Sequence, residues 1–317
     1  MSALITGLHH ITAIAYDAQK NVDFYAGILG LRLVKKTINF DAPDVYHIYY
    51  GNENGSPGTI LTFFPFPGIT QGRKGKGQLT VTSFSIPENS IDYWTKRLTK
   101  FNIKFQGPSQ RFNETVIAFE DHDGLGLELV ANSQDQRPGF TYGNIPSNHA
   151  IRGFHGITLS EECYEKTAGL LVGQLDHRLI GEKGNRFRYS TDGAPGNIVD
   201  ILCTPDALKG VGGYGTIHHV AFATPDDATQ QAARSKLIDF GLNVTPIIDR
   251  EYFHSVYFRE PGGVLFEIAT NPPGFTVDEP LEHLGESLKL PSWEEKHRTI
   301  IEKELPPIKI DIKRFAD

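Results

Sequence analysis

"GTIHHVAFATPDD", residues 215–227, places two adjacent imidazoles inside an alternating apolar run. A strand with that alternation packs one face on a core, so His218 and His219 need a reason to be there. The same arrangement opens the chain in "GLHHITAIAYDA", residues 7–18, with His9 and His10. In both stretches an aspartate follows the second histidine by seven residues, Asp17 and Asp226, and helix-like spacing comes next. Two matched stretches 209 positions apart define a register, and the rest of the chain can be read against it.

The order strand, helix, three strands recurs four times. Unit one runs from residue 7 through "AQKNVDFYAGILG", where Val22, Tyr25, Ala26 and Leu29 keep helical spacing, to the strands "LRLVKKTINF", "YHIYYGN" and "GTILTFFPF". Unit two begins at "QLTVTSFSIPENSIDYWTKRL" and ends at "GLGLELVAN". Unit three begins at "IRGFHGITLSEECYEKTAGLL" and ends at "GNIVDILCT". Unit four begins at "TIHHVAFATPDDATQQAARSKLIDFG" and ends at "GGVLFEIATNPPG". The polar stretch 132–148, with Pro and Gly, reads as a linker. Beyond about residue 275 the pattern stops, and "PSWEEKHRTIIEKEL" reads as one helix with Ser292 and Glu295 spaced as a capping box. The expected class is α+β.

Composition narrows the function. A 317-residue chain with 39% hydrophobic and 22% charged residues can bury two cores. The net charge of −7 argues against nucleic acid as a partner. The basic "QGRKGKGQ", residues 71–78, reads as a solvated loop, since no helix start follows it to make a phosphate site. Two cysteines, Cys163 and Cys203, make neither a disulfide framework nor a Cys-rich metal site. With no signal-peptide layout and no long apolar run, the expectation is a cytoplasmic protein without a membrane partner.

The repeat register then selects residues. The first-strand position is His10 in unit one, Val81 in unit two, His155 in unit three and His219 in unit four. The last-strand position is Thr62, Glu128, Asp200 and Glu267 in the same order. If two units close into one cup, units one and four bring together His10, Thr62, His219 and Glu267. Two imidazoles and one carboxylate with positions left open suit Fe(II), with Mn(II) as the alternative. Units three and four would crowd four ligands around an ion, and units one and two supply one His and one Glu. A single strand His is more often a hydrogen-bonded core residue, but a carboxylate in "GVLFEIA" needs a partner. Strand alternation turns His9 and His218 away from the face of the ligands unless the strand is irregular.

The four units, "HHITAIAYD" and "YFREPGGVLFEIAT" together resemble the vicinal oxygen chelate superfamily, and within it the hydroquinone-type ring-cleaving dioxygenases. The resemblance covers nearly the whole chain. It implies two modules, each an open eight-stranded barrel of paired units: residues 1–131 and 149–275, with a C-terminal tail at 276–317. It implies metal ligands His10, His219 and Glu267. It also implies groups near the substrate: His9, Thr12, His218, Arg250 and Tyr257, with His155 a candidate from the neighbouring unit. Arg250 and Tyr257, in "DREYFHSVYFRE", would act in catalysis with His218. The implied activity is cleavage of a dihydroxylated aromatic ring with O₂, the substrate being a hydroquinone. Rival readings are a glyoxalase-like lyase or isomerase, whose sites usually carry more carboxylate, and a metal-free protein that binds aromatic compounds. A homo-oligomer is compatible with all of them.

Overall fold

The computed structural model describes residues 3–140, 143–192 and 195–316. Residues 1 and 2 of the expected first module, 141 and 142 of the expected linker, 193 and 194 of the expected second module and 317 of the tail lie outside these. The four repeats are present. Unit one holds β1 (Gly7–Ala15), β2 (Arg32–Asn39), β3 (Ala42–Gly51) and β4 (Ile60–Pro65). Unit two holds β5 (Gln78–Ile86), β6 (Phe105–Arg111), β7 (Glu114–Glu120) and β8 (Gly126–Ala131). Unit three holds β9 (Gly153–Glu161), β10 (Arg178–Lys183), β11 (Arg186–Ser190) and β12 (Ile198–Cys203). Unit four holds β13 (Thr216–Thr224), β14 (Ile248–Asp249), β15 (Phe253–Arg259) and β16 (Leu265–Pro273).

A helical segment follows each first strand. Asp17 and Asp226 are N-caps, their carboxylates accepting from the Lys20 and Thr229 amides at 2.8 Å. The first helix makes one α turn, Ala18–Val22, and then widens into a π turn over Asp23–Ile28, where every residue from Phe24 to Ile28 is buried. That apolar set is wider than the single face the spacing suggests. Among the described residues no helix is long and apolar enough to cross a membrane.

The fold is α+β, with two curled eight-stranded sheets, but the sheets do not follow the consecutive halves 1–131 and 149–275. One sheet has the order β14-β15-β16-β13-β1-β4-β3-β2 and so joins units one and four. The other has the order β10-β11-β12-β9-β5-β8-β7-β6 and joins units two and three. The first strands decide this pairing. β1 lies antiparallel to β13, with His10 opposite Ala221 and Thr12 opposite His219. β5 lies antiparallel to β9, with Val81 opposite Thr158 and Ser83 opposite Gly156.

The two connectors between the sheets run side by side as a narrow ribbon. Arg73 and Val211 exchange both backbone hydrogen bonds, at 2.9 and 2.8 Å, and Lys76 donates to Leu208 while accepting from Gly210, each at 3.0 Å. The glycines of "QGRKGKGQ" permit this approach: a Cβ on Gly75 would sit 2.2 Å from the Leu208 carbonyl oxygen. The stretch is a paired ribbon rather than a free loop.

At another seam, Glu161 at the end of β9 meets Glu260 just after β15. The Thr167 hydroxyl lies 2.6 Å from a carboxylate oxygen of each, and all three residues are buried. One hydroxyl carries one proton, so one carboxyl must keep its own. Glu260 accepts the Gly262 and Val264 amides at 2.7 Å, leaving Glu161 as the protonated partner. Burial, then the charge of Glu260, pushes Glu161 up to about 8.

The tail beyond residue 275 packs on the first sheet. Lys35, fully buried, reaches Asp278 and Glu279 at 2.5 Å each and lies over the Tyr252 ring. The expected tail helix is shorter than its pattern: a 3₁₀ turn at Glu295–His297 leads into an α-helix at Arg298–Glu304. The N-cap is His297, without a side-chain cap bond, and the Ser292/Glu295 capping box does not form. Glu295 instead binds the Arg298 guanidinium through both oxygens, at 2.9 and 2.6 Å.

Candidate metal centre

Each histidine doublet sits on a bulge. The β1–β13 pairing steps from Leu8 to His10 on one strand and from His219 to Ile217 on the other, leaving His9 and His218 as the extra residues. The β5–β9 pairing likewise skips Thr80 and His155. All four first strands therefore carry a bulge just before the same register position, a local device for re-aiming a side chain. His10 and His219 occupy that position; Val81 and Gly156 occupy it in the other sheet. The unit-three assignment of His155 is thus corrected by one residue: His155 matches His9 and His218, and Gly156 matches the ligand position. "LHHIT" set over "FHGIT" contains this alignment.

The bulge turns neighbouring imidazoles edge to edge. His9 and His10 meet through Nδ1 at 2.9 Å, and His218 and His219 meet through Nδ1 at 2.7 Å. His9 Nε2 lies 3.1 Å from the Thr270 carbonyl oxygen, to which it can only donate. Burial, then the charge of His10, lowers His9 to about 3, so it is neutral and its Nδ1 is bare. His10 therefore donates from Nδ1, and its own Nε2 is left as a lone pair.

That lone pair points at a buried cluster. His10 Nε2, His219 Nε2 and Glu267 Oε2 lie 3.2, 3.3 and 3.0 Å apart. Ligands at right angles on bonds of ~2.1 Å would stand about 3.0 Å apart. Ser255 donates to Glu267 Oε1, while Glu267 Oε2 is buried with no hydrogen bond of acceptable geometry. Burial works to raise the Glu267 pKa, but positive charge at this point, carried by the imidazoles when protonated, outweighs it and holds the carboxyl well below its usual range. Burial lowers His219, partly offset by Glu267. Electron pairs converging on one buried point suit a cation, and this is the one group of three His, Cys, Asp or Glu side chains among the described residues that could hold a metal ion.

The cluster opens on a cavity of about 440 Å³. Phe64, Phe66 and Phe253 supply apolar walls, and His47, Tyr49, His218, Arg250 and Tyr257 supply polar groups. Arg250 Nε donates to Tyr257 Oη at 3.3 Å, and the guanidinium faces the Tyr257 ring. Burial, then the charge of Glu267, raises the Tyr257 pKa, so the phenol keeps its proton. His218 lines the mouth of the cavity with an exposed edge, and desolvation of its ring against the cavity wall, then the charge of His219, lowers it to about 4.

The other expected contacts fall elsewhere. His9 stands behind His10 against Phe253, and Thr12 is buried under Thr62. Neither lines the cavity. His155 is in the other sheet, 2.8 Å from Glu114, too far removed by the topology to meet a substrate here. His47 and Tyr49 escaped the sequence reading. Tyr49 is opposite Thr62 as Tyr257 is opposite Glu267, so extending the register to the third strand of each unit would have found them.

The second sheet uses its acids for internal ion pairs. Arg111 grips both oxygens of Glu128 at 2.7 and 2.6 Å, while Arg186 and Arg188 hold Asp200. With Val81 and Gly156 at the ligand positions and guanidinium groups on the carboxylates, Glu128, His155 and Asp200 form a structural network.

Comparison with known proteins agrees with this geometry. The profile of the Glyoxalase/Bleomycin resistance protein/Dioxygenase superfamily matches residues 7–129 and 153–268. A Bacillus subtilis (strain 168) protein provisionally named ring-cleaving dioxygenase MhqO is 46% identical, over 98% of this chain and 99% of its own. A chlorohydroquinone/hydroquinone 1,2-dioxygenase of Sphingobium indicum is 36% identical, over 90% of this chain and 91% of its own. A crystal structure of a provisionally named dioxygenase from Bacillus subtilis superposes with a TM-score of 0.94 at 46% identity, covering 98% of this chain and 99% of that one. Maize glyoxalase I, at 13% identity and a TM-score of 0.61 over 84% of this chain and 92% of its own, shares the fold.

Proposed function

The chain belongs to the Glyoxalase/Bleomycin resistance protein/Dioxygenase superfamily, and on that premise we propose that it is a ring-cleaving dioxygenase for a hydroquinone-type diol, with Fe(II) held by His10, His219 and Glu267. Mn(II) is the alternative ion for the same ligands. The observation that carries this reading is the convergence of two imidazole nitrogens and one carboxylate oxygen on an aromatic-walled cavity. The named activities of the relatives support it. An iron ion bound there would supply the redox chemistry with O₂.

The protein's own groups have separable tasks. His9 and His218 hold the ligand imidazoles in orientation through the Nδ1 contacts. With His219 donating from Nδ1, His218 carries its proton on Nε2, where it can donate into the cavity. Phe64 and Phe253 exclude water around an aromatic ring. Tyr257 Oη accepts from Arg250, so its own O–H is a donor that can turn from Ser255 toward an oxygen gaining negative charge.

The test is anaerobic loading with Fe(II), then oxygen uptake with hydroquinone, catechol and a methylglyoxal–thiol adduct. Oxygen consumption with hydroquinone, one O₂ per ring opened, is the expected result. Turnover of the thiol adduct without oxygen uptake would replace the dioxygenase reading with the lyase one. A clear preference for catechol would remove the para-diol assignment.

A further inference from the structure

Tyr49 and Tyr257 are register equivalents in units one and four, facing Thr62 and Glu267 across their sheets. Both line the same cavity, yet the groups behind them give their hydroxyls opposite roles. Tyr257 Oη accepts a hydrogen bond from Arg250 Nε, so its own O–H acts as a donor, to Ser255 beside it or to a ligand in the cavity. Tyr49 Oη lies 2.7 Å from His47 Nδ1, and the direction of that bond is set by a chain running deeper into the wall.

The chain can be followed proton by proton. Thr62 Oγ1 donates to Thr12 Oγ1 at 2.9 Å. A hydroxyl has one proton, so the contact between Thr62 Oγ1 and His47 Nε2, at 2.8 Å, must be a donation from the imidazole. Burial and the neighbouring His10 and His219 lower His47 well below its ordinary value, leaving it neutral. A neutral imidazole protonated on Nε2 has a bare Nδ1, which accepts a hydrogen bond from the Tyr49 hydroxyl. Tyr49 is 1% exposed, and among the described residues the hydrogen bond of its hydroxyl is the one to His47. Its oxygen is left with lone pairs only.

We propose that Tyr49 is a specificity residue that accepts a hydrogen bond from the far hydroxyl of the substrate, with His47 as the positioning residue that keeps it an acceptor. The inference rests on the diol reading above and adds a polarity to it. The cavity has a donating wall, Arg250 and Tyr257, and an accepting point, Tyr49. A ring with a free hydroxyl at that point is bound, and a ring whose hydroxyl is capped as an ether leaves two acceptors facing each other. Leaving a buried polar group unpaired in this way weakens binding by about 10- to 100-fold.

The experiment is anaerobic binding of hydroquinone and 4-methoxyphenol to the metal-loaded protein, with oxygen uptake on hydroquinone measured in parallel. Wild type should favour hydroquinone by about 10- to 100-fold. Tyr49→Phe should bring the two ligands to within about threefold of each other at unchanged metal content. His47→Leu leaves the Tyr49 ring in place but frees its proton, so affinity for 4-methoxyphenol should rise relative to hydroquinone. That reversal separates polarity from the bulk of the methyl group. Equal wild-type affinities, or a ratio untouched by both variants, would overturn the proposal. Discriminating binding without oxygen uptake would sink the dioxygenase reading while leaving Tyr49 as the acceptor. Normal oxygen uptake without discrimination would do the reverse.

Discussion

Replacing Glu161 by glutamine should remove part of the dependence of stability on pH. The Thr167 hydroxyl can give its proton to only one of the two carboxyls beside it, and Glu161 keeps its own to complete the chain. Its value in the fold, about 8, is above the ordinary glutamate value of 4.5. A group raised on folding adds stability in full below its unfolded value, and that stability is lost as pH rises toward the folded value. Each pH unit between the two is worth up to about 1.36 kcal/mol, so going from about pH 5.5 to about pH 7.5 should cost wild type about 2.5 kcal/mol. Glutamine has no proton to lose, and its amide can still donate to Thr167. With an unfolding entropy of about 2.1 cal/mol/K per residue, a chain of this length moves by roughly 1.5 °C per kcal/mol. The advantage of Glu161→Gln over wild type should therefore grow by about 4 °C in Tm between those two pH values. Calorimetry of both proteins at both pH values measures it. Parallel pH dependence, with a constant gap, would refute the shared-proton argument.

Three further outcomes follow from the centre itself. His10→Ala, His219→Ala and Glu267→Ala should each lose bound metal, measured by elemental analysis, while His155→Ala keeps it; the opposite pattern would transfer the ion to the other sheet. His9→Phe should retain the fold but weaken metal affinity about 10- to 100-fold, because His10 loses the acceptor that holds its proton on Nδ1; a competition titration with a chelator reads this directly. Tyr257→Phe should keep metal and Tm and lower kcat by about 10²-fold, and an unchanged kcat would leave Tyr257 as a wall of the cavity.

The amino-acid pattern carried the repeat because capping and alternation are local. Asp17 and Asp226 cap helices through the next turn, and the same seven-residue spacing marks His10 and His219. Glu267 stood out because a carboxylate in an apolar strand must find partners, and the structure brings it to those two imidazoles. The bulges were invisible to an argument from alternation: whether His9 is an extra residue depends on what lies opposite it, which is β13 from the far end of the chain. The same dependence misplaced His155 by one position. The partnership of units one and four was legible in the ligand set, His10 and His219 with Glu267, and the sheet order agrees with it, whereas the division into consecutive halves rested on chain order alone and the sheets do not follow it. His47 was missed because its meaning comes from Thr62 and Tyr49, ordinary residues until their hydroxyls are connected.

The nesting of the four units, with two and three inside one and four, also orders events during synthesis. The strands of the inner sheet lie within one continuous stretch, from Gln78 to Cys203, and can pair as soon as that stretch has left the ribosome. The outer sheet cannot: His10 emerges early, but His219 follows 209 residues later, a wait of roughly 10 to 40 s at ordinary translation rates. The carboxylate arrives later still, at residue 267. A nascent or prematurely ended chain thus carries at most a fragment of the ligand set. The complete ligand set arises only on molecules whose synthesis has reached the last strand.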